Sequence, residues 1–293
     1  MTNNMVNYDG YEGEEMRHFI NRIKHLAMAG LRHAGRKIKM TEHVREDLRL
    51  CIEFLGDAKD GISMNRLTFR KPTHFFRSDA CEHGIGGYNI MTGKAWRFPL
   101  PAHCQLRATI NVLEFFGCLV TIWVDLLANE IPPESCILSQ TDSTSAAGWM
   151  HKSSFNDKQH LLAMTAARHL ARLIMSSKTC LYSQWIQGEY NGVSDMLSRD
   201  SHLTDNELTS LISLHFPEQI PFGIKIMPLP AETVSWLTSQ LLTQPEPKQS
   251  LRALTRSKFG AGNAGSNILP ALASRTTSSL TPSPLPNASA SSA

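Results

Sequence analysis

Apolar and polar residues follow one rhythm in the first part of this chain and another from about residue 74 onward. From residue 12 to about 39, Met16, Phe19, Ile20, Ile23, Leu26 and Leu31 recur at helical spacing among Arg17, Arg22, Lys24, Arg32, Arg36 and Lys37. Gly30 and Gly35 weaken the second half of that helix. A second helix is predicted to start with Thr41 as its N-cap and Glu42 in the first turn, where a negative charge suits the helix dipole. Val44 stands three residues after the cap, so there is no capping box. Val44, Leu48, Cys51, Ile52 and Leu55 form the predicted apolar stripe, which ends near Gly56.

From His74 the period shortens to that of strands. The run from His74 to Asp79 reads as a strand ending on an acid, and the run from Gly84 to Ile90 as a second, with glycines where a backbone or ligand comes close. Met91-Thr92-Gly93-Lys94 supplies a turn, and Ala95-Trp96-Arg97-Phe98 makes a third strand, stopped by Pro99 and Pro101. A long helix follows from about Thr109 to Asn129, then an apolar strand, Cys136-Ile137-Leu138, leading to Asp142. The small residues from Ser143 to Ala147 suit a helix pressed against a neighbour. A further helix runs from about 157 to 176, a fifth strand from 179 to 186, a loop from Gly188 to Gly192, and a short helix from Val193 to Arg199. The order β-β-β-α-β-α-α-β-α predicts an α/β fold, a mixed sheet with helices on its faces. Beyond residue 200 two helices are predicted (204–215 and 231–242), separated by the proline-bearing stretch from Pro217 to Pro230. Residues 247–293 are rich in Ser, Thr, Pro, Ala and Gly, carry five basic residues and no acid, and read as a disordered basic tail.

Composition narrows the class without naming a partner. A length of 293 residues gives room for one good-sized domain with appendages, and 42% apolar residues is ordinary for a globular chain. The net charge of +3 is too small to predict a nucleic-acid partner by itself. Six scattered cysteines with no C-x-x-C fit free thiols in a reducing, intracellular setting better than a disulfide framework. No secretory signal is visible at the N-terminus. The most apolar run, from Val112 to Ala128, contains Glu114 and Asp125 and reads as a buried core helix rather than a membrane span. Cys81-Glu82-His83 and His103-Cys104 lack convincing zinc-ligand spacing.

The chemistry lies in four acids. Asp79 and Asp142 are each predicted at a strand end, Glu114 in the first turns of the long helix, and Asp195 at the opening of the short one. If strands 1 and 4 are parallel neighbours, their C-terminal ends meet and both helix starts can face that point. Each acid alone is more often a cap or a surface residue. Together they fall at the element ends the topology requires. Four carboxylates held close would raise one another's pKa, and a divalent cation relieves that conflict. Oxygen ligands favour Mg²⁺ or Mn²⁺, and two such ions about 3.5–4 Å apart can activate water and stabilise the leaving oxygen of a phosphodiester.

The same residues carry a resemblance. Ser78-Asp79-Ala80 with Gly84-Ile85-Gly86-Gly87-Tyr88, Asn111-Val112-Leu113-Glu114, Thr141-Asp142-Ser143-Thr144, and the run from Gly188 to Arg199 (G-x-x-N-x-x-x-D-x-L-S-R) resemble the ribonuclease H domain of retrotransposon reverse transcriptases. The likeness is greatest to the tyrosine-recombinase, DIRS-like group. It implies a ribonuclease H-like mixed five-stranded sheet over residues 74–200. Residues 1–73 would be a helical lead-in resembling the end of a polymerase region, and 201–246 a helical spacer. It further implies hydrolysis of the RNA strand of RNA–DNA hybrids by Asp79, Glu114, Asp142 and Asp195, with Mg²⁺ or Mn²⁺ as cofactor. A polymerase or recombinase of the same element would be the partner, with no membrane involved. Arg168 and Arg172, four apart on one helix, are candidate phosphate contacts, beside the alternative of a solvated helix face. The chain contains neither a Y-x-D-D polymerase motif nor a recombinase catalytic region. The competing readings are a non-catalytic member of the fold that binds nucleic acid or scaffolds a polymerase, and an integrase- or exonuclease-like nuclease.

Overall fold

Three antiparallel strands joined by tight turns make one half of the sheet: β1 (His74–Cys81), β2 (Gly84–Asn89) and β3 (Lys94–Pro99). Two parallel strands, β4 (Cys136–Thr141) and β5 (Cys180–Trp185), extend it on the other side of β1. These come from a computed structural model that describes residues 23–24, 27–28, 40–59, 61–64, 70–152 and 160–244. Met1–Pro247 clusters as one compact unit and Lys248–Ala293 as another. The tail from 247 onward lies outside the described residues. So does the first predicted helix, apart from residues 23, 24, 27 and 28, which are helical.

The sheet has six strands rather than the expected five, in the order β5-β4-β1-β2-β3-β6. The sixth, β6 (Lys225–Ile226), comes from the stretch expected only to separate two helices, and it pairs with Lys94 and Ala95. Gly93 and Gly223 make this possible. Both have positive φ, and a Cβ on Gly93 would lie 2.2 Å from the Gly223 carbonyl oxygen, so the two backbones meet where no larger residue fits. A two-residue strand carries no period, which is why the pattern of the chain does not reveal it.

Helices cover both faces. The central one, α1 (Ile110–Leu127), is buried at every position from Val112 to Trp123, Glu114 included. It is long and apolar enough to cross a bilayer, yet here it is the core helix, packed on β1 and β2. On the opposite face lies α2 (Gly192–Arg199), which the 3₁₀ turn Gly188–Asn191 introduces. Strand alternation splits the glycines of β2 between these two helices. A Cβ on Gly86 would stand 2.5 Å from Leu197 Cβ in α2, while one on Gly87 would stand 2.2 Å from Thr121 Oγ1 in α1. Only hydrogen at both positions lets the helices approach this closely. Gly86→Val is therefore expected to push α2 off the sheet and to destabilise the fold by about 1–3 kcal/mol, measured as a lower urea midpoint at unchanged m-value.

Further helices among the described residues are Thr144–Lys152, His160–Ser177 (hereafter α3), Asp205–His215 and Ala231–Leu242. The second predicted helix, hereafter the leading helix, is Glu42–Ala58, with Thr41 in the N-cap position but without a side-chain cap bond. Its stripe is rotated from the predicted one. Val44, Asp47 and Leu50 are buried, whereas Ile52 and Leu55 are exposed. An inward carboxylate causes the rotation: Asp47 pairs with Arg168 of α3, so the helix turns the Asp47 side to the protein. Apolar spacing alone found Val44 and Cys51 on the packed side but not Asp47, and wrongly put Ile52 and Leu55 there.

Candidate metal centre

The parallel register of β1 and β4 sets two of the acids side by side. Their last pair is Arg77 with Gln140, and two residues further along each chain stand Asp79 and Asp142. Asp79 is not the end of its strand, as the sequence suggested, because β1 continues to Cys81 and pairs with β2 there. Asp142 is the first residue beyond β4. Into the gap where the two strands part, Glu114 reaches from the second turn of α1. Asp79, Glu114 and Asp142 each offer an oxygen within 4.8 Å of the others.

Neighbouring side chains hold two of these carboxylates in place. The Ser198 hydroxyl donates to Asp79 Oδ2 at 2.5 Å, and Asn191 Nδ2 donates both to the Ser78 carbonyl (3.0 Å) and to Asp142 Oδ1 (3.1 Å). The Trp185 indole N–H donates to the Asp142 carbonyl at 2.9 Å, fixing the backbone beneath that acid. Asn191 and Ser198 lie in the G-x-x-N-x-x-x-D-x-L-S-R run, whose residue types alone mark only Asp195 as a candidate ligand. The legible signal is their polar side chains at fixed places in the motif; their burial is a property of the fold.

The electrostatics of the trio are unfavourable on their own. Asp79 is 3% exposed and Glu114 8%. Burial, more than any neighbour, pushes the Asp79 carboxyl up to about 6; the Ser198 hydrogen bond opposes this and the charges of Asp142 and Asp195 add to it. Burial also drives Glu114 up to about 9, with Asp79 and Asp142 pushing further. Glu114 Oε2 is buried without a hydrogen-bond partner. A cluster of hard oxygen donors, one of them unsatisfied, opens onto a cavity of about 680 Å³ whose lining includes Asn111, His83 and Arg199. That donor set fits a divalent cation such as Mg²⁺ or Mn²⁺.

Asp195 stands outside the trio. It sits in the first turn of α2, about half exposed, and forms an ion pair with Arg199 one turn later. Its charge nevertheless reaches Asp79. The structure thus brings three of the four predicted acids together and leaves the fourth beside them.

Arg168 is not where a phosphate would meet it, whereas Arg172 lies at the surface in an exposed ion pair. Arg168 is 5% exposed, and its guanidinium donates to Asp47 Oδ1 at 2.8 Å and to the His43 carbonyl at 2.9 Å. Arg172 donates to Glu53 at 2.8 Å. Both expectations for Arg168, phosphate contact and solvated face, are corrected: the residue clamps the leading helix to α3. Buried charge explains why, since a carboxylate taken out of water must keep its cation. Arg168→Ala is expected to cost about 3–5 kcal/mol of unfolding free energy in a denaturant titration. Arg172→Ala, at a pair that is 38% and 46% exposed, should cost less than about 1 kcal/mol.

No family model matches the chain, and no curated protein does. Among solved structures it is similar to ribonuclease H1 from the halophilic archaeon Halobacterium salinarum, at 12% identity and a TM-score of 0.33, over 44% of this chain and 96% of that one. It is also similar to LC11 ribonuclease H1 in complex with an RNA/DNA hybrid, at 16% identity and a TM-score of 0.35, over 45% of this chain and all of that one. A third is the N-terminal ribonuclease H domain of a Mycobacterium tuberculosis protein fused to maltose-binding protein, at 13% identity and a TM-score of 0.32, over 47% and 99% of the two chains.

Proposed function

We propose that this chain is a divalent-metal-dependent endonuclease that cuts the RNA strand of RNA–DNA hybrids. The observation that carries the reading is the convergence of Asp79, Glu114 and Asp142 at the point where two parallel strands part. Three acids in that position cost the fold stability and repay it only by holding cations. Asp79, Glu114 and Asp142 would hold the metal, with Asp195 as the fourth ligand once it leaves Arg199. When bound, such ions supply the positive charge that polarises a phosphodiester and its attacking water.

The chain's own residues do the positioning. Ser198 and Asn191 keep the Asp79 and Asp142 carboxylates aimed into the cavity, and Trp185 pins the backbone of Asp142. A hybrid would be read by shape, phosphates and 2′-hydroxyls, as duplex RNA is. The motif resemblance supports an origin in a DIRS-like retroelement, with two Mg²⁺ or Mn²⁺ ions and a polymerase or recombinase of the same element as partner.

The Asp195–Arg199 pair favours a second reading, in which the acids no longer act together and the chain only binds nucleic acid. One assay separates them. With Mg²⁺, the purified chain is expected to degrade RNA in a hybrid and to spare single-stranded RNA. Hybrid binding without any cutting would establish the second reading, and equal cutting of plain DNA would point to an integrase- or exonuclease-like activity.

A further inference from the structure

Arg199 closes the most structured motif of the sequence, and the metal reading leaves it without a role. It lies in the last turn of α2, one turn after Asp195, and its side chain is 57% exposed. It also lines the acidic cavity together with Asp79, Glu82, Glu114 and Asp142. Among the described residues lining that cavity it is the one Arg or Lys. Its guanidinium therefore performs two tasks at once: it holds Asp195 through Nε, and it places positive charge beside the trio.

An exposed pair at i,i+4 is among the weakest ion pairs in proteins, so it is easily exchanged. A planar guanidinium is also the side chain best shaped to grip a phosphate through two parallel hydrogen bonds. We propose that Arg199 is an exchange residue for this site: it holds Asp195 while no cation is bound, and it passes to a backbone phosphate of the hybrid when Asp195 turns to a cation. This inference rests on the nuclease reading above. It differs from Asp195 merely starting a helix, because it assigns Arg199 opposite effects on the two ligands.

The test uses the full chain and two binding measurements that need no turnover. Free Mn²⁺ is followed by electron paramagnetic resonance during titration, without nucleic acid. Hybrid binding is followed by fluorescence anisotropy in Ca²⁺ over a series of salt concentrations. Arg199→Ala is expected to bind Mn²⁺ about 3–10-fold more tightly, because a competing cation has been removed from the acids. The same variant is expected to bind the hybrid about 5–10-fold more weakly, with the slope of log affinity against log salt reduced by about one phosphate contact. Arg199→Lys should recover the salt slope but only part of the affinity.

A purely structural role for Arg199 would weaken both ligands or neither. Unchanged hybrid affinity and slope in Arg199→Ala, with the wild-type chain binding hybrid well, would overturn this inference and leave the nuclease reading intact. Mn²⁺ affinity that is unchanged or lower in Arg199→Ala would overturn the hold on Asp195. A wild-type chain that takes up Mn²⁺ but no hybrid would overturn the nuclease reading and this inference together.

Discussion

Asp142→Asn is expected to lower Mg²⁺-dependent cleavage of a hybrid by at least about 10²–10³-fold, as loss of one preorganised charge at a reacting centre does elsewhere. The substitution is nearly isosteric. Asn191 Nδ2 still finds an oxygen in the place of Asp142 Oδ1, and the Trp185 bond goes to the backbone, so the local frame stays as it is. One negative charge disappears from the neighbourhood of Asp79 and Glu114, each of which the Asp142 carboxylate pushes upward. The metal-free variant should therefore unfold at the same temperature as the parent or a few degrees higher. Loss of function with gain of stability is the signature of a charge kept for its chemistry. Cleavage within tenfold of the parent, at equal metal concentration, would remove Asp142 from the catalytic set.

Stability of the metal-free protein should fall steadily as pH rises from about 4 to about 9, and Mg²⁺ should restore it. The ordinary values of Asp79 and Glu114 are 3.8 and 4.5, and in the folded chain they rise to about 6 and about 9. Below pH 4 both states are protonated and neither group contributes. Between the ordinary and the folded values the unfolded chain has lost its protons while the folded chain keeps them, so each rise in pH favours unfolding. The Asp79 part of the loss is complete just above pH 6, and the Glu114 part only near pH 9. Cation binding needs the deprotonated carboxylates, so the gain from Mg²⁺ should grow over the same interval. At a hundred times its dissociation constant, a ligand adds about 2.7 kcal/mol, which for a unit of this size is a rise in Tm on the order of 5–10 °C. Thermal melts at pH 5, 7 and 9, with and without Mg²⁺, test this. A melting temperature indifferent to both pH and Mg²⁺ would mean that the three acids are not held together in solution.

Much of the fold could be read from residues that act locally. His74 to Arg97 falls into short runs bounded by turn residues, Gly93 marks the turn into β3, and the apolar run after Thr109 leaves no choice but a buried helix. The acids at positions 79, 114 and 142 were legible because each sits at a fixed offset within such an element. Where reading failed, the deciding partner lay far away in the chain. The buried face of the leading helix is turned from the one apolar spacing marks because Asp47 answers to Arg168, 121 residues later. Arg168 looked available for the same reason. Strand β6 was invisible because its two residues gain their conformation from β3, not from any pattern of their own.

Local sequence determined most of the elements, β6 excepted, since backbone propensity and glycine tolerance act over a few neighbours. Tertiary structure alone decided that Asp195 turns to Arg199 instead of joining Asp79, Glu114 and Asp142. The physical reason is range: burial and Coulomb forces act across the β1–β4 gap, between residues that local sequence never compares.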